Sequence, residues 1–227
     1  MSLIRFTPGY FISLLCKIDF FSVPTDYSFI VLIMSLVIIM GPMFSGKTSR
    51  LISMYQTLRE SGEERICVVN YLGDLRYGNT SQELVSHDQT KIPCISCRLL
   101  SEIPATTSYK YLLVNEAQFF GDLRQFILEA VEDRGIHVCL FGLDGDYKRR
   151  PMGQLLELIP YCDRVEKHTA ICMGLIKNVA ADTECGVLCS KPAIFTYRHS
   201  NETEVFVIGS HDKYQPLCRD CYTNNYL

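Results

Sequence analysis

Residues 36–48 read LVIIMGPMFSGKT, and no other stretch restricts the fold as strongly. The run Leu36-Val37-Ile38-Ile39-Met40 is apolar throughout, which fits a parallel strand covered on both faces. Gly41-Pro42-Met43-Phe44-Ser45-Gly46-Lys47-Thr48 follows at once and matches G-x-x-x-x-G-K-[ST], the phosphate-binding loop. Gly41 and Gly46 allow backbone angles that turn successive N–H groups toward phosphate oxygens. Lys47 brings a point charge for the β- and γ-phosphates, and the Thr48 hydroxyl is a Mg²⁺ ligand. Leu51, Ile52, Tyr55 and Leu58 then recur at helical spacing, with Gly62 as the expected stop. The loop therefore opens onto a helix N-terminus, whose dipole favours anions. Strand, loop and helix in this order predict a nucleoside-triphosphate site.

A second apolar run, Tyr111-Leu112-Leu113-Val114, ends at Asn115-Glu116. In phosphate-loop proteins a neighbouring strand ends in an acidic residue that helps to hold Mg²⁺. Asn115 can accept a hydrogen bond from metal-bound water but brings no charge. Glu116 is then the available carboxylate, facing the crevice beyond the strand ends, where a hydroxyl attacking a γ-phosphate needs a base. The plainer reading is a solvated loop residue. Asp122 and Gln125 have capping-box spacing, and Leu123, Phe126, Ile127, Ala130 and Val131 share one helical face up to Gly135. Residues 136–141 read as another strand. Strands alternating with helices predict an α/β layered fold on a parallel sheet.

Composition narrows the class. The 227 residues are 48% hydrophobic and 21% charged, enough apolar mass for a core, which excludes a disordered or fibrous chain. A net charge of −3 lacks the basic surface of a general nucleic-acid binder, so no nucleic-acid partner is expected. Lys148, Arg149 and Arg150 read as a solvated face or a subunit contact. The apolar run over 29–40 is shorter than the roughly 20 residues of a membrane span. It ends in Gly41-Pro42 rather than at a small-residue cleavage site, so neither a membrane anchor nor a secretory signal is expected. Residues 1–33 read as a poorly ordered extension or an artefact of gene prediction, because Met34 offers a compact start just before the first recognisable element.

The chain has 11 cysteines, an odd number in a chain too long for a disulfide-stapled miniprotein. Reduced thiols in a cytoplasmic setting, some of them metal ligands, are expected. Cys218-Arg219-Asp220-Cys221 has the spacing of half a tetrahedral zinc knuckle. Upstream lie Cys172, Cys185 and Cys189, with no second C-x-x-C among them. Cys94 and Cys97 share that spacing, but alternation along a strand would put them on opposite faces, and they read as structural. Cys16, Cys67, Cys139 and Cys162 read as small core or surface residues.

With further strings along the chain, these residues resemble the type II thymidine kinases, the cellular and poxvirus-like family. The matching strings are GPMFSGKT at 41–48, DLRY at 74–77, SHD at 86–88 and NEAQFF at 115–120. LDGDYKRRPMG at 143–153, HTAIC at 168–172, FTYR at 195–198 and VIGSHDKYQPLCRDCY at 207–222 follow in family order. The resemblance implies a phosphate-loop (RecA-like) α/β domain over 34–167 and a small C-terminal zinc-ribbon lasso domain over 168–227. It implies ATP-dependent phosphorylation of thymidine on its 5′-hydroxyl, with deoxyuridine a second candidate acceptor, in nucleotide salvage. Gly41, Pro42, Met43, Phe44, Ser45, Gly46, Lys47 and Thr48 would bind ATP, Thr48 with Mg²⁺, and Asp74 would orient the metal shell. Glu116 would be the general base, while Lys47 and Arg76 would contact the transferring phosphate. Met43, Phe119, Leu143, Tyr147 and Thr196 would line the base and sugar pocket. Val205, Phe206, Val207, Ile208, Gly209 and Tyr214 would belong to a lasso loop that closes over the nucleoside. A homotetramer and feedback inhibition by dTTP are further family expectations.

Beside the carried roles stand plainer ones: Met43 and Phe119 as core residues, Tyr147 as surface packing, His87 and His168 as structural histidines. Two departures from the family pattern matter. Asn115 stands where the family usually has Asp, which motivates the rival reading of a catalytically weakened nucleotide-binding paralogue; another phosphate-loop ATPase is a second rival. The family also places a C-x-x-C after the threonine-alanine motif, whereas here Cys172-Met173 runs into Gly174-Leu175. Treating 174–187 as an insertion makes Cys172 and Cys189 the missing pair of zinc ligands beside Cys218 and Cys221, with Cys185 as the substitute.

Overall fold

The computed structural model describes residues 35–74, 82–86, 88–176, 187–199 and 212–226. The extension at 1–33, Arg76, His87, Cys185 and the lasso residues Val205 to Gly209 lie outside the described residues.

The apolar run Leu36–Met40 is strand β1, and every one of its residues is buried. Its alternation divides the core in two. Leu36, Ile38 and Met40 pack with Leu123, Ile127, Leu155 and Leu158, whereas Val37 and Ile39 pack with Leu51, Ile52 and Leu58. The second layer is helix α1, Lys47–Glu60, which follows the glycine-rich loop. Gly62, at φ 86°, lies just past the end of α1.

Strand β2 (Ile66–Tyr71) leads into the hairpin of β3 (Glu83–Val85) and β4 (Lys91–Pro93), then into β5 (Ile95–Cys97). Strand β6 (Tyr111–Val114), helix α2 (Leu123–Leu128), β7 (His137–Gly142) and β8 (Arg164–Lys167) complete the main body. The six-stranded sheet runs β5-β2-β6-β7-β1-β8 with every neighbouring pair parallel. This is the expected α/β layered fold on a parallel sheet. One strand, β7, separates β1 from β6, so the loop after β1 and the Asn115-Glu116 turn after β6 open at the same edge of the sheet.

Helix α2 differs from expectation at both ends. Asp122 makes no side-chain bond to its own helix; its carboxylate accepts from the N–H groups of Leu100 and Ser101 at 3.0 and 2.9 Å. The expected capping box is therefore absent, because Asp122 satisfies the short 3₁₀ turn at Leu100–Glu102 instead. At the far end the helix widens into a π turn, Glu129–Asp133, before Gly135.

Beyond β8 the strands are short and antiparallel. Strand β9 (Ala170–Ile171) pairs with β12 (Pro192–Ala193), β10 (Leu175–Ile176) with β11 (Val187–Leu188), and β13 (Phe195–Arg198) with β14 (Tyr214–Leu217). Helix α3, Arg219–Tyr226, closes the described chain. A separate apolar cluster gathers here from Ala170, Cys172, Ala193, Leu217, Cys218, Cys221 and Tyr222. Among the described residues no helix is long and apolar enough to cross a membrane.

Candidate active site

The glycine-rich loop folds around its own lysine. Lys47 Nζ donates to the carbonyl oxygens of Gly41 and Pro42 at 3.0 and 2.7 Å, and Ser45 Oγ donates to the Pro42 carbonyl at 2.8 Å. Gly46 sits at φ 77° with open space where a Cβ would stand, so glycine is required there for its backbone angle alone. Gly41 is required for space, since a Cβ would lie 2.5 Å from the His168 carbonyl oxygen. His168 N–H in turn donates to Met40 O at 2.7 Å, which seats the segment after β8 against the loop. The His168 imidazole itself lies beside a carboxylate of β8, with Nε2 3.4 Å from Glu166 Oε2.

Met43 N–H donates to Thr196 Oγ1 at 3.0 Å, joining residues 153 positions apart and tying the loop to strand β13. Two of the expected pocket residues are thus in direct contact. Across the sheet edge, Thr48 Oγ1 donates to Asn115 Oδ1 at 3.4 Å, and Asn115 Nδ2 donates to the buried Asn70 Oδ1 at 2.9 Å. Asn70 at the end of β2 was not legible as a site residue, because it reads as one polar position in an apolar strand.

Glu116 is 7% exposed and adopts a left-handed backbone, φ 53° and ψ 41°, at the turn after β6. Such a conformation is costly for a residue with a Cβ and persists where the surroundings hold it. Glu116 is therefore not the solvated loop residue of the plainer reading. Its Oε2 accepts from Gln118 Nε2 at 2.6 Å, and Gln118 Oε1 accepts from Leu143 N–H at 2.9 Å. Phe119 is half-buried, with its ring centroid 5.2 Å from that of Tyr71. Asp74 is buried in the turn that leaves β2, the strand paired with β6.

Tyr147 is buried, not surface packing. The Arg198 guanidinium stacks 3.6 Å from its ring centroid, and its carbonyl accepts from Tyr222 Oη at 2.6 Å. Arg198, 4% exposed, pairs across β13–β14 with Tyr214, which is also buried. The basic run beside Tyr147 is exposed, as expected. Yet Arg149 also lies over the Tyr222 ring at 4.6 Å, and Arg150 pairs with Asp146 at 2.8 Å.

The C-terminal cysteines converge. The sulfurs of Cys172, Cys189, Cys218 and Cys221 all lie within 4.8 Å of one another. Cys189 Sγ and Cys218 Sγ are 3.7 Å apart. A tetrahedron of Zn–S bonds of about 2.3 Å has edges of about 3.8 Å, so four thiolates placed this way fit zinc. The cluster is built by backbone bonds: Cys172 N–H to Lys191 O and Cys189 N–H to Gly174 O, both at 2.8 Å. The Cys218 N–H also donates to Cys172 Sγ at 3.1 Å. A Cβ on Gly174 would lie 2.6 Å from Cys221 Sγ, so the chain turns past the cluster at a glycine. Cys94 and Cys97 take no part; they pack with opposite core layers. Burial pushes the thiols of Cys67, Cys97 and Cys139 up to about 12, which marks them as inert core residues.

A parallel sheet whose first strand opens into a phosphate loop, with a strand-end carboxylate after a second strand and a four-cysteine cluster near the C-terminus, defines a phosphate-loop α/β protein with a cysteine knuckle. The family model described as thymidine kinase matches residues 34–222. The chain is 37% identical over 196 residues to a thymidine kinase of Oryza sativa subsp. japonica, a match covering 84% of this chain and 66% of that protein. It is 35% identical over 196 residues to thymidine kinase a of Arabidopsis thaliana, covering 84% and 75%. With the thymidine kinase of sheeppox virus (strain KS-1) it shares 33% identity over 198 residues, covering 87% and 98%. The chain belongs to the thymidine kinase family.

Proposed function

We propose that the protein transfers the γ-phosphoryl group of ATP to the 5′-hydroxyl of thymidine, with deoxyuridine as a second acceptor, in a cytoplasmic salvage route to DNA precursors. The observation that carries this reading is the convergence at one sheet edge: Lys47 and Thr48 of the phosphate loop, and Glu116 on the turn after β6, with Asn115 in contact with Thr48 at 3.4 Å. In this reading Lys47 and the loop N–H groups hold the β- and γ-phosphates, and Thr48 with Asp74 serves the Mg²⁺ that accompanies ATP. Glu116 accepts the proton of the attacking hydroxyl, and Arg76 meets the transferring phosphate. The protein's work is mainly placement and charge neutralisation, as in-line phosphoryl transfer requires.

Met43, Phe119, Leu143, Tyr147, Thr196 and Tyr214, with the lasso residues, form the nucleoside pocket in this reading. A wrong base that leaves pocket hydrogen bonds unpaired is penalised by roughly 1–3 kcal/mol for each. Cys172, Cys189, Cys218 and Cys221 would hold a zinc ion, whose contribution is a cross-link between the short strands of the C-terminal part. A homotetramer and inhibition by dTTP accompany the reading as properties of the family.

The test is ATP- and Mg²⁺-dependent conversion of labelled thymidine to its monophosphate by the wild type and by Glu116→Gln. The expected result is product from the wild type and a loss of about 10²–10⁴-fold in kcat for the variant, the range for a general base. Binding of ATP and thymidine without turnover in the wild type would favour the weakened paralogue, for which Asn115 is the motivating residue. Nucleoside-independent ATP hydrolysis would favour another phosphate-loop ATPase.

A further inference from the structure

We infer that Gln118 is a positioning residue for phosphoryl transfer, holding the Glu116 carboxylate in one orientation and tying it to the pocket wall at Leu143; this rests on Glu116 being the base. Gln118 is 3% exposed, and both ends of its amide are used. Nε2 lies 2.6 Å from Glu116 Oε2, and Oε1 lies 2.9 Å from the Leu143 nitrogen. The orientation of the amide follows from chemistry. Leu143 N–H can only donate, so it takes the carbonyl end and leaves the NH₂ end to the carboxylate. A bond of this kind, to a charged acceptor, is stronger than a neutral one and directional.

The surroundings leave Gln118 little freedom to move. A Cβ on Gly142 would come within 2.5 Å of Gln118 Oε1, and one on Gly153 within 2.0 Å of the Gln118 carbonyl oxygen. Two glycines, from β7 and from the PMG string at 151–153, thus make room for one side chain and its backbone. The Glu116 turn alone does not supply such a constraint, since its left-handed backbone aims the side chain but leaves its outer torsions to be set by contacts. Proton acceptance depends on the carboxylate lying within hydrogen-bond reach of the hydroxyl, so a loosened rotamer lowers kcat more than it lowers nucleoside binding.

The test uses the full-length protein with Gln118→Glu and Gln118→Met, each made in the wild type and in Glu116→Gln. Gln118→Glu keeps an acceptor for Leu143 N–H but sets a second carboxyl group against Glu116 in place of the neutral donor; Gln118→Met removes both bonds without adding charge and is the cleaner variant. Thermal melting of every variant accompanies kcat and KM for thymidine, so that a variant that fails to fold is identified and the other is read. The expected result is a fall in kcat of about 10- to 100-fold with KM changed by less than about 3-fold, and no further fall in the Glu116→Gln background. An equal fall in both backgrounds, or no fall in the wild type, overturns the proposal. A Glu116→Gln single variant with full activity sinks the base assignment itself, and the proposal with it, and is recognised without any change at position 118.

Discussion

Asn115 is the residue at which this chain departs from the acidic residue usual at that strand end, and its hydrogen bonds show the local consequence. Its carbonyl end faces Thr48 and its NH₂ end faces Asn70 Oδ1, which belongs to a residue only 1% exposed. A carboxylate at 115 would keep the acceptor for Thr48 but set an oxygen against Asn70 Oδ1 until the Asn70 amide turned over to donate. Asn115→Asp is therefore expected to lower the Mg²⁺ concentration that gives half-maximal turnover. It is also expected to cost about 1 kcal/mol of stability without Mg²⁺. A Mg²⁺ titration of the rate and a melt in chelator check the two effects. The two loop glycines separate in the same way. Gly41→Ala meets the backbone carbonyl of His168, which cannot swing aside, whereas Gly46→Ala meets only its own left-handed backbone angle, worth about 1–2 kcal/mol. Melting of the pair should show Gly41→Ala as the more damaging.

At the scale of elements, the hairpin of β10 and β11 explains how two cysteines 17 positions apart in the numbering, Cys172 and Cys189, become neighbours. Leu175 pairs with Leu188 and Ile176 with Val187, so the chain leaves the cluster along one strand and returns along the other. Replacing residues 177–186 by Asn-Gly, the pair suited to a two-residue hairpin, should leave the zinc content per chain unchanged. Cys189→Ser should abolish it. Metal analysis of the purified proteins decides both. This segment lies within the stretch read from the sequence as an insertion; Gly174 belongs to the cluster's own wall, so an excision that begins there should lose zinc.

For the whole molecule, the C-terminal part and the sheet domain are joined through specific bonds, chiefly Met43 to Thr196 and Tyr222 to Tyr147. Removing zinc should therefore raise KM for thymidine before it unfolds the sheet, seen by assay and by melting after chelation. Three core thiols give a second test. Cys67, Cys97 and Cys139 are pushed by burial from 9.0 to about 12, so the unfolded chain loses their protons first. The stability they contribute is complete below the unfolded value of 9.0 and declines as pH rises from there to about 12. Denaturant melts across that window should show the decline, and Cys139→Ala should flatten it. What the sequence determined by itself was everything carried by neighbouring residues: the buried strand, the loop that follows it, the helix after that, and the carboxylate at the end of a second strand. Backbone angles and periodicities are properties of a short stretch of chain, so they can be read there. Only the tertiary structure decided who bonds with whom: Asp122 with the turn at Leu100, Met43 with Thr196, and Gln118 with Leu143 across 25 positions. A hydrogen bond or a shared metal site selects partners by distance and direction in space, and those exist only once the strands have paired into the sheet and the segments beyond it have packed.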